Sequence, residues 1–488
     1  MKKLRTKLAF FLALLMCAPL FASCSDNAVS AEPSGVQQGE TTAPAVEEET
    51  VPEETELSDG LPDTNLDGYE FRYYSMLWTD GVHAAHRIMA EDYTGDPVND
   101  ALRDSTLYIE ERFNCKITVI DGGDAYTMGG NTSNLIVSGD NAFDVAVGHD
   151  GTMMGLAKQG MFYNLKNVEQ FDFEKPWWLP SMDLELCGKM YLASSYLSFT
   201  NLHWTRAIMV NKNIMTELNV EIPYDTVREG AWTLDKMCSL TENTYSDLDG
   251  DGRKTEKDRI GLCTGVETLY CLQESLGLGA YTAQADGTRT LDLDLERVDT
   301  ALGKLRSIFN TDNCIYKTNS AFTSEIFKTG TAMMVLGQIG DAYDIYRDSD
   351  FTYGFLPCPK YDELQEKYIN GCTDLPWAIP KTVTPEQVDI IGTIVEATSC
   401  YNYKNVLPAY FEVAMKSRTA DSPDDSEMLQ IIADGRTISF GFSYGLTFND
   451  VLRKLIVSNE ELASYYQANQ KAAQKVLSTL IEDFNTME

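Results

Sequence analysis

The stretch NDALRDSTLYIEERFNCKITVI, residues 99–120, decides the fold because a helical pattern in it leads directly into a strand pattern. Apolar residues at helical spacing predict a helix over 99–113, and the β-branched residues of 116–120 predict a strand. Another strand is predicted before this helix, at 69–74, and another after it, at 143–147. Strands that alternate with helices favour a mostly parallel sheet, whose ligands bind at the carboxyl ends of the strands.

The N-terminus has the pattern of a bacterial export signal. Four basic residues precede an apolar run over 8–21, which is too short to span a bilayer comfortably. The residues before Cys24 resemble a lipobox, so we predict a signal peptide over 1–23 and lipidation of Cys24. An acidic segment without Lys or Arg follows, and 24–65 is predicted to be a disordered tether. The protein is expected at the outer face of the cytoplasmic membrane, held there only by its lipid.

Charge and cysteine usage argue against a nucleic-acid-binding protein and against a disulfide framework. The formal net charge is −35, which makes nucleic acid a poor partner. The eleven cysteines are scattered and contain no C-x-x-C pair, so obligatory disulfides are not indicated. Buried apolar thiols are the interpretation we favour.

The segment DLDGDGRKTEKD, residues 247–258, has the spacing of a calcium-binding loop. Carboxylates at positions one, three, five and twelve can surround a hard cation, and glycine at position six permits the sharp turn. The single copy and the extended flank after it favour a structural clip over a calcium sensor. A solvated acidic turn without metal is the alternative. The predicted calcium ligands, with position seven acting through its backbone carbonyl, are Asp247, Asp249, Asp251, Arg253 and Asp258.

The C-terminal part of the chain is predicted to be helical. Ser458 and Glu461 match a capping box at the start of the last helix. Apolar residues at helical spacing follow, including Ala473 and Leu477, and this stripe predicts a helix face packed on the core.

Short segments spread over the whole mature chain follow the order found in one protein family. They include Asn99-Asp-Ala-Leu-Arg, Phe143-Asp-Val-Ala-Val, Gly188-Lys-Met-Tyr-Leu, Met209-Val-Asn-Lys-Asn, Trp232-Thr-Leu-Asp, Phe327-Lys-Thr-Gly, Gly354-Phe-Leu-Pro and Trp377-Ala-Ile-Pro. Through this collinear order the chain resembles the extracellular solute-binding proteins of bacterial ABC importers. The resemblance is to their carbohydrate-binding, maltose-binding-protein-like group.

The resemblance implies an α/β fold of two lobes, the type II periplasmic-binding-protein fold, with a ligand cleft between the lobes. Hinge strands at 191–195 and 373–379 would join them. The first lobe would comprise 66–193 plus 371–425, and the second lobe 194–370 plus 426–488. The calcium-type loop would then lie in the second lobe between a helix and a strand.

The candidate ligand-binding residues are aromatic and polar side chains near the expected cleft. Sugars present apolar C–H faces beside many hydroxyls, so a sugar cleft needs aromatic platforms and planar polar groups. Such residues follow the first and third strands, lie in or after the hinge strands, or fall in SFGFSYG, residues 439–445, where related proteins often place a binding aromatic. The candidates are Trp78, His149, Asp150, Trp204, Arg206, Trp377, Phe440 and Tyr444.

Enzyme signatures were weighed against this interpretation. The segment Gly441-Phe-Ser-Tyr-Gly445 matches the nucleophile elbow of serine hydrolases, but all four histidines precede Ser443, whereas in that fold the histidine follows the serine. Sequence spacing cannot identify the paired carboxylates of a glycoside hydrolase. The sequence contains no Walker A loop, so the ATPase of an importer would be a separate chain.

The predicted function is a non-catalytic receptor. It would bind an oligosaccharide between closing lobes and deliver it to an ABC permease, with calcium as a structural cofactor. We expect a monomer. The main alternative is an oligopeptide-binding lipoprotein of the same fold, which Arg206 beside Trp204 favours. A surface glycoside hydrolase is a weaker alternative.

Overall fold

The computed structural model describes residues 57–77, 87–178, 184–265, 268–317, 320–373, 375–415 and 422–487. The predicted signal peptide, Cys24, most of the predicted tether and Trp78 lie outside the described residues. Everything below concerns the described part of the chain.

The strands, in chain order, are β1 Tyr69–Ser75, β2 Cys115–Asp121, β3 Val145–Val147, β4 Arg206–Asn211, β5 Ile260–Gly265, β6 Tyr281–Ala283, β7 Arg289–Leu291, β8 Cys314–Lys317, β9 Ala332–Gln338, β10 Tyr353–Leu356, β11 Asn370–Cys372, β12 Trp377–Ala378 and β13 Arg436–Ile438.

The α-helices are α1 Pro97–Phe113, α2 Met128–Val137, α3 Asp150–Ala157, α4 Thr200–His203, α5 Lys212–Glu217, α6 Tyr224–Arg228, α7 Leu234–Thr241, α8 Leu269–Ser275, α9 Leu295–Phe309, α10 Ser320–Lys328, α11 Ile339–Asp344, α12 Pro385–Tyr401, α13 Leu407–Met415, α14 Pro423–Asp434, α15 Phe440–Ser443, α16 Val451–Ser458 and α17 Leu462–Thr486. A π-helical turn, Asn402–Val406, joins α12 to α13. No helix in the described ranges combines the length and the apolar composition needed to cross a membrane.

The first sheet has the strand order β12-β3-β1-β2. Strand β1 lies between β2 and β3 and is parallel to both, while β12 is antiparallel to β3. Helix α1 connects β1 to β2 and begins at Asp96, whose carboxylate accepts hydrogen bonds from the next backbone N–H groups. The predicted strand-helix-strand unit and its parallel sheet are therefore confirmed.

The second sheet has the order β10-β4-β9-β5-β8 and is mixed. Strands β8 and β9 lie parallel to β5, whereas β4 runs antiparallel to both β9 and β10. Every described residue of β4 and β5 is buried, as expected for central strands covered on both faces. The chain thus builds two separate α/β layers, each with its own sheet.

The two predicted hinge strands are paired with each other. Ala193 and Trp377 exchange two backbone hydrogen bonds, of 3.0 and 2.9 Å. A second bridge joins Thr205 to Cys372, where the chain enters and leaves the second sheet. These ladders hold the two crossings side by side.

Two predicted boundaries need correction. Helix α14 packs on β10, and Asp425 accepts hydrogen bonds from Lys212 at 2.5 Å and from the Tyr224 hydroxyl at 2.6 Å, both in the second lobe. The predicted boundary after residue 425 falls inside α14, and we propose that it lies before this helix. Residues 57–65, assigned to the tether, belong to the folded unit because Asp59 pairs with Arg112 of α1 at 2.6 Å.

Candidate functional site

A cleft of about 230 Å³ lies where elements of both sheets meet. Strand β3 ends just before it, and so does β9, while antiparallel β4 begins there. The cleft is therefore at the strand edge where α/β sheets place ligands. Its lining residues are His149, Asp150, Trp204, Arg206, Tyr270, Gln338, Thr373 and Phe442.

The wall from the first sheet is formed by His149 and Asp150. His149 Nδ1 lies 2.8 Å from Asp150 Oδ1, and the histidine side chain is 51% exposed. Asp150 also accepts a hydrogen bond from the Gly151 amide at 2.7 Å. The hydrogen bond with Asp150 raises the pKa of His149, and partial burial opposes that rise. This wall offers an acceptor and a donor that are already oriented by each other.

Arg206, the first residue of β4, lies at the opposite wall and is only 6% exposed. Its Nη1 donates to Gln338 Oε1 at 2.7 Å, and its Nη2 donates to the Tyr270 hydroxyl at 3.4 Å. Gln338 is the last residue of β9, so the register between β4 and β9 places the two side chains together. The strand pairing thus fixes the position of the guanidinium.

An aromatic pair completes the cleft. The rings of Tyr270 and Phe442 stack with centroids 4.5 Å apart and planes only 7° apart. Both rings are partly exposed, and the half-buried Trp204 also lines the cleft. Such rings beside planar polar groups match the requirements of a sugar site.

Comparison with known proteins gives the fold its name. No protein-family model and no curated protein matches the sequence. Among solved structures, UspC of M. tuberculosis is 14% identical, with 83% of this chain and 99% of that chain covered at a TM-score of 0.54. A sugar transporter from Rhizobium etli in an open conformation is 12% identical, covers 86% and 100%, and has a TM-score of 0.53. The ABC substrate-binding protein Lmo0181 from Listeria monocytogenes, in complex with cycloalternan, is 14% identical, covers 84% and 100%, and has a TM-score of 0.51.

The chain has the solute-binding-protein fold. At these identities the comparisons establish the fold alone. The two sheets, the paired crossings and the cleft between them follow the arrangement that the sequence resemblance implies for the solute-binding-protein fold.

The cleft contains four of the predicted ligand-binding residues, namely His149, Asp150, Trp204 and Arg206. Sequence reasoning missed four others: Tyr270, Gln338, Thr373 and Phe442. Phe442 lies within residues 439–445, the segment from which Phe440 and Tyr444 were chosen. The signal that could have identified it is Ser439, because a serine there can cap a helical turn. Ser439 caps a single helical turn, α15, by accepting a hydrogen bond from the Phe442 amide.

Phe440 and Tyr444 do not line this cleft, and their predicted role is corrected. Phe440 begins α15 and Tyr444 caps its C-terminal end four residues later, so both point to the same side, where their ring centroids lie 4.4 Å apart. They are 5% and 3% exposed, and the Tyr444 hydroxyl donates to the Leu184 carbonyl at 2.8 Å. Phe442, two residues from each, therefore points the other way, toward Tyr270.

Trp377 is also corrected from a ligand platform to a core residue. It is fully buried in the first sheet and packs against Trp178 and Phe171, with ring centroids 5.9 Å away in each case. Because its backbone pairs with Ala193, its ring is directed into the first lobe rather than into the cleft.

One contact links the two lobes beside the cleft. Lys158, at the end of α3, donates from Nζ to the Tyr444 carbonyl at 2.6 Å, at the end of α15. Burial lowers the pKa of Lys158. A lysine from the first lobe thus satisfies a free carbonyl at a helix end in the second.

The acidic loop lies between α7 and β5, as predicted, and a bridge between Ser246 and Arg259 closes it. Carboxylate oxygens of Asp247, Asp249 and Asp258 lie within 4.8 Å of one another. Asp251, predicted as a ligand, is exposed and its carboxylate lies outside this cluster, and Arg253 is also exposed.

The backbone of the loop supports the cluster. The Gly252 amide donates to Asp247 Oδ2 at 2.9 Å, and φ of Gly252 is +73°, which favours glycine. Asp258 is fully buried and accepts the amides of Leu248 and Thr255. Three hard oxygen donors around one point fit the chemistry of calcium.

The nucleophile-elbow segment does not form a catalytic triad within the described residues. Ser443 Oγ is buried and has no hydrogen-bond partner there. His149 contacts Asp150, and His203 contacts Asp344 and Tyr410. Neither described histidine forms the hydrogen bond to Ser443 that a triad requires.

Proposed function

We propose that the chain is the solute-capturing component of an ABC importer, which binds an oligosaccharide in the cleft and delivers it to a membrane permease. The observation that carries this proposal is the cleft itself. It combines a stacked aromatic pair with planar polar groups, and both sheets contribute to it. The fold is shared with proteins of sugar and ABC transport, one of them in complex with cycloalternan.

Ligand binding would act through closure of the lobes. A sugar that contacts His149 and Asp150 from one lobe and Phe442 from the other gains contacts only when the cleft is closed. Its differential affinity then stabilises the closed state, which a permease can recognise. We propose that the protein does this without catalysis, as an exported monomer anchored through Cys24.

Calcium is proposed as a structural cofactor. Asp247, Asp249 and Asp258 would hold it, and the charge of the ion would relieve the repulsion among three close carboxylates. The ion would order the loop between α7 and β5.

The oligopeptide alternative is supported by Arg206, a buried cation suited to a terminal carboxylate. It predicts that short peptides bind in place of sugars. A thermal unfolding assay with both kinds of ligand separates the two functions.

The test is thermal unfolding of the chain from Ser25 to Glu488 with panels of oligosaccharides and of short peptides. A ligand that binds the native state raises the unfolding midpoint. At a ligand concentration of 100 times Kd, it stabilises the native state by about 2.7 kcal/mol. We expect an oligosaccharide to do so and Phe442→Ala to weaken its binding at least about tenfold, since the stacking surface is lost. Tyr126→Ala, at a ring 93% exposed and outside the cleft, is the control. A shift with peptides alone would refute the oligosaccharide proposal.

A further inference from the structure

Arg206 is a buried cation that forms no ion pair with any carboxylate of the described residues. Among the described residues, its guanidinium donates to uncharged groups, namely the Gln338 amide oxygen, the Tyr270 hydroxyl and the Cys271 thiol. Among the described residues no carboxylate lies within 4.0 Å of it, and its Nε has no hydrogen-bond partner. A buried charge normally requires both an opposite charge and hydrogen bonds, so this arrangement is incomplete in the free protein.

The acidic side chains around Arg206 are engaged elsewhere. Asp341 accepts a hydrogen bond from a serine hydroxyl at 2.7 Å, and Glu274 accepts another at 2.6 Å. Burial raises the pKa of both groups, which favours their neutral forms. Asp150, across the cleft, is paired with His149. The net charge of the chain is −35, yet none of the described carboxylates forms an ion pair with this cation.

We propose that the ligand supplies the missing anion, so that the preferred solute is an acidic oligosaccharide whose carboxylate pairs with Arg206. A uronic acid unit is the chemical class that fits. This inference rests on the proposed function because it assigns the chemistry of the same cleft.

The geometry favours a carboxylate attached to a sugar ring. The planar guanidinium matches a carboxylate through two parallel hydrogen bonds. The Tyr270 ring lies 6.0 Å from the guanidinium carbon and is stacked on Phe442, so a carboxylate substituent of a pyranose bound beside these rings can reach Arg206. A zwitterionic peptide would also need a free anion for its amine, and Asp150 is already paired with His149.

The test compares matched pairs of sugars that differ only in charge. Trimers of galacturonate and of mannuronate, and glucuronate-substituted xylo-oligosaccharides, are each titrated by calorimetry into the chain from Ser25 to Glu488, alongside their methyl esters. We expect at least one acid to bind, and its ester to bind at least about 30-fold more weakly, as measured for lost buried charge pairs.

Variants of Arg206 separate ligand binding from a role in the fold. In Arg206→Met the acid should lose its advantage over the ester, and the ligand-free unfolding midpoint should not fall, because an unpaired buried cation is removed. Arg206→Lys keeps the charge without the planar fork and should retain a reduced preference for the acid. Arg453→Met, at an arginine whose side chain is 42% exposed in the same lobe, is the control and should bind like the unaltered chain.

Each outcome decides between this inference and the proposed function. Equal binding of acid and ester, or binding of neutral sugars alone, overturns the acidic-sugar inference and leaves oligosaccharide capture intact. A fall in the ligand-free midpoint of Arg206→Met with acid preference unchanged assigns the arginine to the fold and also overturns it. Binding of peptides and of no sugar overturns both.

Discussion

At the scale of single residues, Glu396 is a carboxylic acid held between two indoles. Its Oε1 accepts a hydrogen bond from Trp177 Nε1 and its Oε2 one from Trp178 Nε1, both at 2.8 Å. The side chain is fully buried on α12. Burial raises its pKa from 4.5 to about 7, although the two indole hydrogen bonds act in the opposite direction.

We predict that Glu396→Gln removes a pH dependence of stability. Between pH 4.5 and about 7 the folded chain keeps the Glu396 proton while the unfolded chain releases it. Stability therefore falls as pH rises through this window, by about 3 kcal/mol in the unaltered chain. The glutamine cannot ionise, but its NH₂ group faces an indole N–H, which costs about 1–3 kcal/mol at every pH. Urea unfolding at pH 5 and at pH 7.5 measures both effects.

Glu482→Gln is the matched control, since Glu482 is exposed on α17. It should leave the difference in unfolding free energy between the two pH values unchanged. If Glu396→Gln keeps the full pH difference of the unaltered chain, Glu396 does not titrate in this window.

Residue types predicted the chemistry of the cleft better than the direction of each side chain. His149 was predicted from its place just after a strand, and the structure puts it in the cleft. Phe442 was missed because the resemblance indicated a binding aromatic within residues 439–445 but not which ring faces the cleft. One helical turn after Ser439 sends the rings of Phe440 and Phe442 to opposite sides. Trp377 was misplaced because backbone pairing with Ala193, which sequence does not show, sets the side it faces.

At the scale of elements, local patterns predicted helices and strands but not how successive helices meet. Helix α1 follows its predicted range closely. The capping box predicted from Ser458 and Glu461 is wrong, because Ser458 ends α16 and the Glu461 side chain makes no capping hydrogen bond to α17. Asn459 adopts a left-handed conformation, with φ of 54°, and ends α16 in the middle of that pattern.

We predict that calcium stabilises the acidic loop through Asp247. Addition of millimolar calcium should raise the thermal midpoint of the chain, and Asp247→Asn should abolish most of that rise, since it removes one of three clustered carboxylates. Calorimetric titration of calcium should show affinity lower by at least about tenfold in the variant.

Asp251→Asn is the control for this element, because Asp251 lies outside the cluster and is exposed. It should retain the calcium response. Equal loss in both variants would mean that calcium responds to the overall charge of the loop rather than to a defined set of ligands.

At the scale of the whole molecule, His203 connects the two lobes. Its Nε2 lies 2.9 Å from Asp344 of α11, in the second lobe, and its Nδ1 lies 3.1 Å from the hydroxyl of Tyr410 of α13. Helix α13 packs on α1 of the first lobe. The imidazole is 2% exposed, and burial, together with the charge of Arg87, lowers its pKa from 6.5 to about 4.

We predict that His203→Asn removes a loss of stability on acidification. The folded chain resists protonation of His203, so stability is full above pH 6.5 and falls as pH decreases toward 4, by about 3 kcal/mol. This slope is opposite in sign to that of Glu396. Unfolding free energies at pH 4.5 and pH 7 should differ less in His203→Asn than in the unaltered chain.

His149→Gln serves as the comparison, because hydrogen bonding to Asp150 raises the pKa of His149. Its stabilisation is present at low pH and lost as pH rises, so the variant should alter the profile in the opposite direction. If the unfolding free energy of His203→Asn has the same pH dependence as that of the unaltered chain, His203 does not cause the loss of stability on acidification.

The order of strands and helices along the sequence was enough to predict the overall architecture, because each lobe is assembled from a few contiguous segments of the chain. The exact boundaries depended on contacts between residues far apart in sequence, such as those of Asp425 with Lys212 and Tyr224. A sequence read along its length cannot show such pairings.

In the proposed mechanism of closure, the hydrogen bond from Lys158 to the Tyr444 carbonyl would favour the closed state before any ligand binds. It joins the end of α3 to the end of α15, so opening of the lobes at this point would break it. Each 1.4 kcal/mol that it contributes would raise the ratio of closed to open molecules about tenfold. If the closed state dominates in the free protein, the cleft is less accessible and ligand association is slower. If the open state dominates, part of the binding free energy is used to close the lobes. In this mechanism Lys158 is one of the residues that would adjust the balance between the rate of ligand capture and its affinity.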